Sequence, residues 1–426
     1  MHARSYWVLD DDDAPVVDRI AAGLGRSPAR VLAYLLLRDR RVEQPATSTH
    51  LQVGTQSNRT TINDATTTLE ERELVDRSSV RADDPGRPQT AWGPIDDLEA
   101  TIERTYRTHA SALIDHALEC HDRHEREDTR RSRSEAEATP SHTLEVALNW
   151  RPNALHVPIH AAIAAEWYAA FDVDVRLDHH DGSRRALERV RSGVADVAVV
   201  GAATVARARA AGEPIVPVAL LYQRAMTVLY TIRSVFGEPL ESVGQLEGRR
   251  VGMPPDSEMR LLGRLFLSQT GFDDVGIVDT NGEERAALSH GTADVVTGSF
   301  SDPDALERRD RTVDTIRLAD HFPVAGPALV VHESTLEAQR APLEGFLAGT
   351  TGGWAQARRD PAPAVDRLAA TSDDSPERIR QTFDRAVSAF GESEAVREHG
   401  WGWQRRAAWD RLRTALEHGG LLPDPA

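Results

Sequence analysis

The sequence predicts an α/β chain of two similar lobes, set behind a small, mostly helical N-terminal unit and a connecting helix. Three observations carry this. Residues 144–160 read LEVALNWRPNALHVPIH, an alternating apolar strand that breaks at a polar turn and re-enters as an Ala-rich helix. The pattern G-x-A-D-V occurs twice, in GVADVAVVG at 193–201 and GTADVVTGS at 291–299, as two related lobes would require. Residues 95–126 form one long helical pattern with a single apolar stripe, separating these repeats from a helix-rich beginning.

Composition bounds the rest. The 426 residues suffice for two or three domains with ample core. The formal net charge is −17, and all 50 basic residues are Arg. An acid excess without lysine suits a protein hydrated for very high salt, as in GC-rich halophiles. Cys120 is the one cysteine, which excludes an internal disulfide and any multi-cysteine metal site. The opening MHARSYWVLDDDDAP lacks an apolar secretion core and a lipid-attachment cysteine, and no apolar run has membrane-span length. The expectation is a cytoplasmic protein without a membrane partner. Charge is nearly balanced over the first 95 residues, so the acid excess falls on the remainder. Only the N-terminal part approaches a polyanion without strong repulsion.

That part, 1–94, reads as a winged helix. Ser27-Pro28 opens a helix through residues 31–37. Residues 46–53 form a second, capped by Thr47 or Ser48, and Asn58 caps a third that runs to about Glu73. Ile62, Ala65 and Leu69 form the inward stripe of the third helix. Asn58, Arg59, Thr60, Thr61 and Asn63 are left for phosphates and base edges, with Arg81 and Arg87 on a hairpin tip. The order L-E-E-R-x-L-V followed by G-R-P resembles the MarR- and TrmB-type winged helices of archaea, here of haloarchaeal composition. The resemblance covers residues 18–94 and departs at Ser57, usually apolar, and at Glu73, where a turn glycine is common. It implies DNA binding.

Residues 95–140 are then a dimerisation helix and polar linker. Ile95, Leu98, Ile102, Tyr106, His109, Leu113 and Ala117 recur at steps of three and four, a stripe expected to meet its twin in a homodimer. His116, Cys120, His121 and His124 cluster there, but no carboxylate or second thiol completes a metal set, and solvated polar positions are the expectation. Residues 125–142 are polar enough for a linker.

The remaining unit, 141–426, is organised around the stretch at 144–160. Asn149 both donates and accepts, Trp150 can stack on a flat ring, and Asn153 and His156 follow at the helix mouth, the usual place for a small ligand in an open α/β sheet. Core packing is the competing reading for Trp150 and His156. Gly201 ends the strand after the first repeat, and Ser257 opens a helix after Pro254-Pro255-Asp256, a loop whose N–H groups suit an anionic or carbonyl group. Thr227, Gly298, Phe300 and Asp302 are expected across the cleft from Trp150. The W-x-P-N-x-x-H of Trp150, Pro152, Asn153 and His156, then L-x-G-x-x-V-G at 246–252, resemble the SsuA/ThiY-like solute-binding domains of the thiamine-pyrimidine-precursor and alkanesulfonate group. That resemblance implies a type II periplasmic-binding-protein fold, with lobe 1 at about 144–224 and 321–426 and lobe 2 at about 225–320. It also implies a pyrimidine-like ligand first and a sulfonate second. The related pyrimidine synthase branch needs a cysteine-rich iron motif that is lacking, and no nucleophile elbow, P-loop or zincin helix is present. The expected function is a cytoplasmic, ligand-responsive transcriptional regulator with no cofactor, no metal and no catalytic residue. A transport-type binding protein, or an enzyme with an accessory winged helix, is the alternative.

Overall fold

The computed structural model describes residues 7–42, 44–80, 88–121, 142–272 and 274–423. Arg81, Arg87, His124 and the polar linker lie outside the described residues.

The N-terminal unit contains helices Ala14–Leu24, Arg26–Asp39, Ser48–Thr55 and Arg59–Glu71, and strands β1 (Ala46–Thr47), β2 (Val75–Val80) and β3 (Gln89–Pro94). The strands form an antiparallel sheet in the order β1-β3-β2. Ala46 pairs with Trp92 and so belongs to the sheet, not to the helix expected over 46–53. Thr47 caps the helix that follows, with its side chain on His50 in a reciprocal box. Asn58 caps the next helix by accepting from the Thr61 N–H at 2.9 Å. Ile62, Ala65 and Leu69 point inward and are buried. Glu73 adopts a left-handed angle, φ 54°, so the turn is made without glycine.

Two five-stranded sheets follow with one common plan. The first is β5-β4-β6-β13-β7, from β4 (His142–Leu148), β5 (Val173–His179), β6 (Val197–Val200), β7 (Ile215–Leu220) and β13 (Ala328–His332). The second is β10-β9-β11-β8-β12, from β8 (Thr227–Ile232), β9 (Arg250–Met253), β10 (Gly276–Asp279), β11 (Val295–Ser299) and β12 (Val313–Arg317). In each, the first three strands run parallel and the fourth is antiparallel to its neighbours. The repeated G-x-A-D-V segments lead into β6 and β11, the same position in both sheets. Strands covered on both faces are buried throughout: the apolar β6 and β7, and the antiparallel β8, are buried at every residue.

The chain crosses between lobes twice, at 221–226 and 322–327. The crossings run side by side, with Leu221 N–H donating to Pro327 O at 2.8 Å and Ala225 N–H to Val324 O at 2.9 Å. Gly326 lies against the Tyr222 carbonyl, where a Cβ would collide with backbone. The Ala-rich helix expected after the turn is broken: Val157–Ala164 and Trp167–Ala170 are separated at Glu166, whose φ is 57°.

The connecting helix spans Leu98–His121. Its stripe is buried inside the chain against the helix Arg340–Arg359 and β7. This corrects the expected dimer seam: periodicity identifies a face that needs covering, and here the first lobe and helix Ala14–Leu24 cover it. Ile95, at the start of the expected stripe, is 41 % exposed. The ends are joined further by Trp401 N–H donating to Ala22 O at 2.7 Å and His109 Nε2 bonding Trp401 O at 2.7 Å. Gly25, φ 80°, permits this because a Cβ there would meet the Glu398 carbonyl. His116 stacks on Trp403 with ring centres 4.2 Å apart and contacts Gln404 O, and His121 meets Trp409 edge-on at 5.2 Å, so these two are packed, not solvated as expected. Trp354, Trp401 and Trp409 are core. Among the described residues no helix is long and apolar enough to cross a membrane.

Candidate functional site

The carboxyl ends of β4, β6, β9 and β11 and the start of β8 bring the expected ligand residues to the seam between the lobes, but most already have partners within the chain. Trp150 is the exception, 53 % exposed beside the turn after β4. Asn149 Nδ2 lies 3.4 Å from Ser183 Oγ, and its Oδ1 lies 3.5 Å from His156 Nε2. Asn153 caps the short turn 154–156, accepting from Leu155 N–H at 2.8 Å. His156 is buried, with its ring 5.6 Å from that of His179. Burial, reinforced by the neighbouring His179 and His160, holds its imidazole well below the usual range, so it is neutral. His160, on the same side, is driven to about 3 by burial and Arg367.

On the other lobe, Thr227 is buried against Met259, and Phe300 packs on Phe390 at 5.1 Å between ring centres. Gly298 has no room for a side chain beside Tyr230 and Asp302. Asp302 accepts from Ser299 N–H at 2.7 Å and remains open to solvent. Ser257 accepts from Arg260 N–H at 3.0 Å and donates to Pro254 O, so it is the cap of helix Glu258–Ser268.

The centre of the seam is a residue that sequence reasoning passed over. Glu258 reaches from lobe 2 to the N-terminus of helix Ala202–Ala210 in lobe 1. Its carboxylate accepts from Ala203 N–H at 3.0 Å, Thr204 N–H at 2.9 Å and the Thr204 hydroxyl. Gly201 is required beside it, since a Cβ would run into the carboxylate. The loop before Glu258 was expected to hold an anion; instead it presents one, to the opposite lobe. Burial raises the Glu258 carboxyl while the Thr204 hydroxyl and the two amides oppose the rise. No local pattern announces this contact, because its partners are 54 and 55 residues away. Arg385 makes a second bridge, to Asp304 at 2.7 Å, with its guanidinium over Phe300. The lobes are therefore held together by the chain's own side chains.

The N-terminal unit carries a separate polar groove of about 540 Å³ lined by Ser48, Gln52, Arg59, Asn63 and Arg77 among others. Arg59, Thr60 and Asn63 are exposed, whereas Asn58 and Thr61 are engaged in the helix cap. Among the described residues no three metal-ligating side chains converge.

Comparison with known proteins agrees with the two-sheet plan. Residues 153–364 match the family model described as NMT1/THI5 like. The riboflavin-binding protein RibY of Chloroflexus aurantiacus is 27 % identical over 295 residues, covering 66 % of this chain and 82 % of that protein. A formylaminopyrimidine-binding protein of Halalkalibacterium halodurans is 23 % identical over 291 residues, covering 66 % and 87 %. The solved aliphatic sulphonate binding protein SsuA of Escherichia coli superposes with a TM-score of 0.53 at 16 % identity, covering 67 % of this chain and 95 % of that one. The CA3427 product of Candida albicans gives 0.52 at 15 % identity, covering 67 % and 92 %. The two lobes thus have the periplasmic-binding-protein fold, and the matched relatives are binding proteins for small molecules.

Proposed function

We propose that this chain, with its NMT1/THI5-like two-lobed domain, is a binding protein for a flat, uncharged heterocycle of the pyrimidine or flavin kind, held in the seam beneath Trp150. The observation that carries this reading is the pairing of an exposed indole with a seam already supplied with a carboxylate. Large indoles are rarely left half in solvent without a partner, and a flat ring stacked on Trp150 would bury it. Glu258 at the helix N-terminus satisfies the donors that an anionic ligand would need, so a sulfonate is the poorer candidate. The ligands of the two relatives, riboflavin and formylaminopyrimidine, have the favoured shape and charge. Binding would be read by calorimetry with riboflavin, formylaminopyrimidine and an alkanesulfonate. Trp150→Ala should weaken the heterocycle by about 0.5–1.5 kcal/mol beyond its lost contact area, with an unchanged unfolding transition. Unfolding of that variant would make Trp150 a packing residue and remove the stacking argument.

A second reading is supported by the N-terminal unit. Its helices and three-stranded antiparallel sheet are compatible with the winged helix expected from the sequence, and Arg59, Thr60 and Asn63 stand exposed on helix Arg59–Glu71. With DNA as partner, the protein would be a cytoplasmic regulator that responds to the same heterocycle. Arg59→Ala should then cost about 1–3 kcal/mol of DNA affinity if that guanidinium reads a base. A genome-wide pull-down without any enriched site would leave the binding-protein reading alone.

A further inference from the structure

A groove on the flank of the seam touches the site above at Thr204 and Ser257 and otherwise has its own lining. It holds about 590 Å³ and is walled by Arg184, Arg191 and Arg207 of lobe 1 and by Arg260 and Arg264 of lobe 2. Its carboxylates are Glu213 and Asp256, so the lining carries five guanidiniums against two acids in a chain whose net charge is −17. Arg191 is engaged with Glu213 at 3.2 Å, Arg260 with Asp279, and Arg184 is 4.0 Å from Asp256. The guanidiniums of Arg207 and Arg264 are exposed and make no hydrogen bond or ion pair among the described residues, although the charge of Arg207 acts on the seam carboxylate Glu258. The floor is apolar, with Leu187, Leu261 and Leu421.

Some arginines of this surface are paired with acids, as in Arg233–Asp314 at 2.6 Å, and others such as Arg308 and Arg309 stand alone among the described residues, so what marks the groove is the convergence of five guanidiniums on it. Two unpaired guanidiniums facing one groove from opposite lobes therefore form a locally positive place in a negative field. Their planar forks match the oxygens of a phosphoryl group, and the apolar floor suits the organic part of such a ligand.

We propose that this groove is a second binding site, for a small phosphate-bearing metabolite that bridges the lobes through Arg207 and Arg264. A ligand held by both lobes favours the closed arrangement and is distinct from the heterocycle beneath Trp150. The inference does not depend on what the seam binds.

The test is calorimetric titration of the full chain with inorganic pyrophosphate in a constant potassium chloride background, with sulfate as the comparison. A saturable site is expected, with pyrophosphate preferred. Each charge-assisted contact removed should weaken it about tenfold, so Arg207→Gln weakens it and the double variant Arg207→Gln/Arg264→Gln loses it at the concentrations used. Both residues are exposed, so the variants should melt at the parent temperature without pyrophosphate; Arg184→Gln offers an independent variant if one does not. No saturable heat, sulfate binding as tightly as pyrophosphate, or undiminished affinity in the folded double variant would each overturn the proposal. Riboflavin titrated into the parent and Arg264→Gln without pyrophosphate tests the seam separately, because of the two arginines only Arg207 acts on Glu258.

Discussion

His109 lies at the junction of the two halves of the chain, fully buried, with Nε2 on the Trp401 carbonyl and Nδ1 without a hydrogen-bond partner. Burial pushes its pKa down to about 4, and the Trp401 contact only partly offsets this. An unfolded histidine titrates near 6.5, so between about pH 6.5 and 4 the unfolded chain takes up a proton that the folded chain refuses. Stability should therefore be full above pH 6.5 and fall as pH drops through that window, by about 1.4 kcal/mol per pH unit for this one group at the steepest. Urea midpoints of the parent and His109→Gln, compared from pH 7 to 4, check it: the variant should lose less on acidification. Parallel acid curves would show that His109 does not set the slope. Trp150 and Asn149 were legible as residues at a strand end, because alternation and a Pro-Asn turn are local signals. Glu258 was not, since nothing in PPDSE says which lobe its carboxylate will face. Glu73 shows a milder limit: the chain keeps the left-handed turn where a glycine is expected, at a position where only φ reveals it.

Among the elements, the connecting helix shows most clearly what periodicity can and cannot give. Spacings of three and four identified Leu98, Ile102, Tyr106, His109, Leu113 and Ala117 as one face, and all six are buried. A stripe carries no record of its cover, so a twin helix and a neighbouring domain look alike in sequence. The same blindness applies to the helix Arg340–Arg359, whose Gly349 and Gly353 admit Tyr168 and the Pro158 carbonyl. The repeated G-x-A-D-V, by contrast, was informative because both copies mark the same position in two sheets of one plan. Leu113, 1 % exposed on this helix, lies between the two parts. Leu113→Ala should cost about 2–5 kcal/mol, and chemical denaturation should show the loss in a single transition that includes both the N-terminal unit and the first sheet. Two separated transitions in the parent would mean that the helix merely tethers its neighbours.

For the molecule as a whole, net charge and domain contact act together. A formal charge of −17 opposes compactness through self-repulsion, and salt relieves it, since the Debye length shrinks to roughly 3 Å at molar ionic strength. Melting temperature should rise with potassium chloride from 0.1 M to about 2 M if this repulsion dominates; a flat or falling curve would place the surface ion pairs in command instead. The direct backbone bond from Trp401 to Ala22 ties the first lobe to the N-terminal unit, and on the regulator reading it would be a short path for any ligand-driven change. Any coupling must be reciprocal: if a heterocycle alters DNA affinity by some factor, DNA must alter heterocycle affinity by the same factor. Equal heterocycle dissociation constants with and without DNA would separate the two activities.

The carboxylate of Glu258 also has a kinetic meaning. If the proposed ligand enters between the lobes, the cleft shut by Glu258 would admit it only in the fraction of molecules that have let go, so capture would wait for release of three hydrogen bonds. In stopped-flow mixing, the observed rate of riboflavin uptake should climb with concentration and then level off at the opening rate, whereas an open cleft would give a straight line. Glu258→Ala should raise or abolish the plateau. The seam would then set how quickly the protein can respond to a change in its surroundings, independently of how tightly it holds what it has caught.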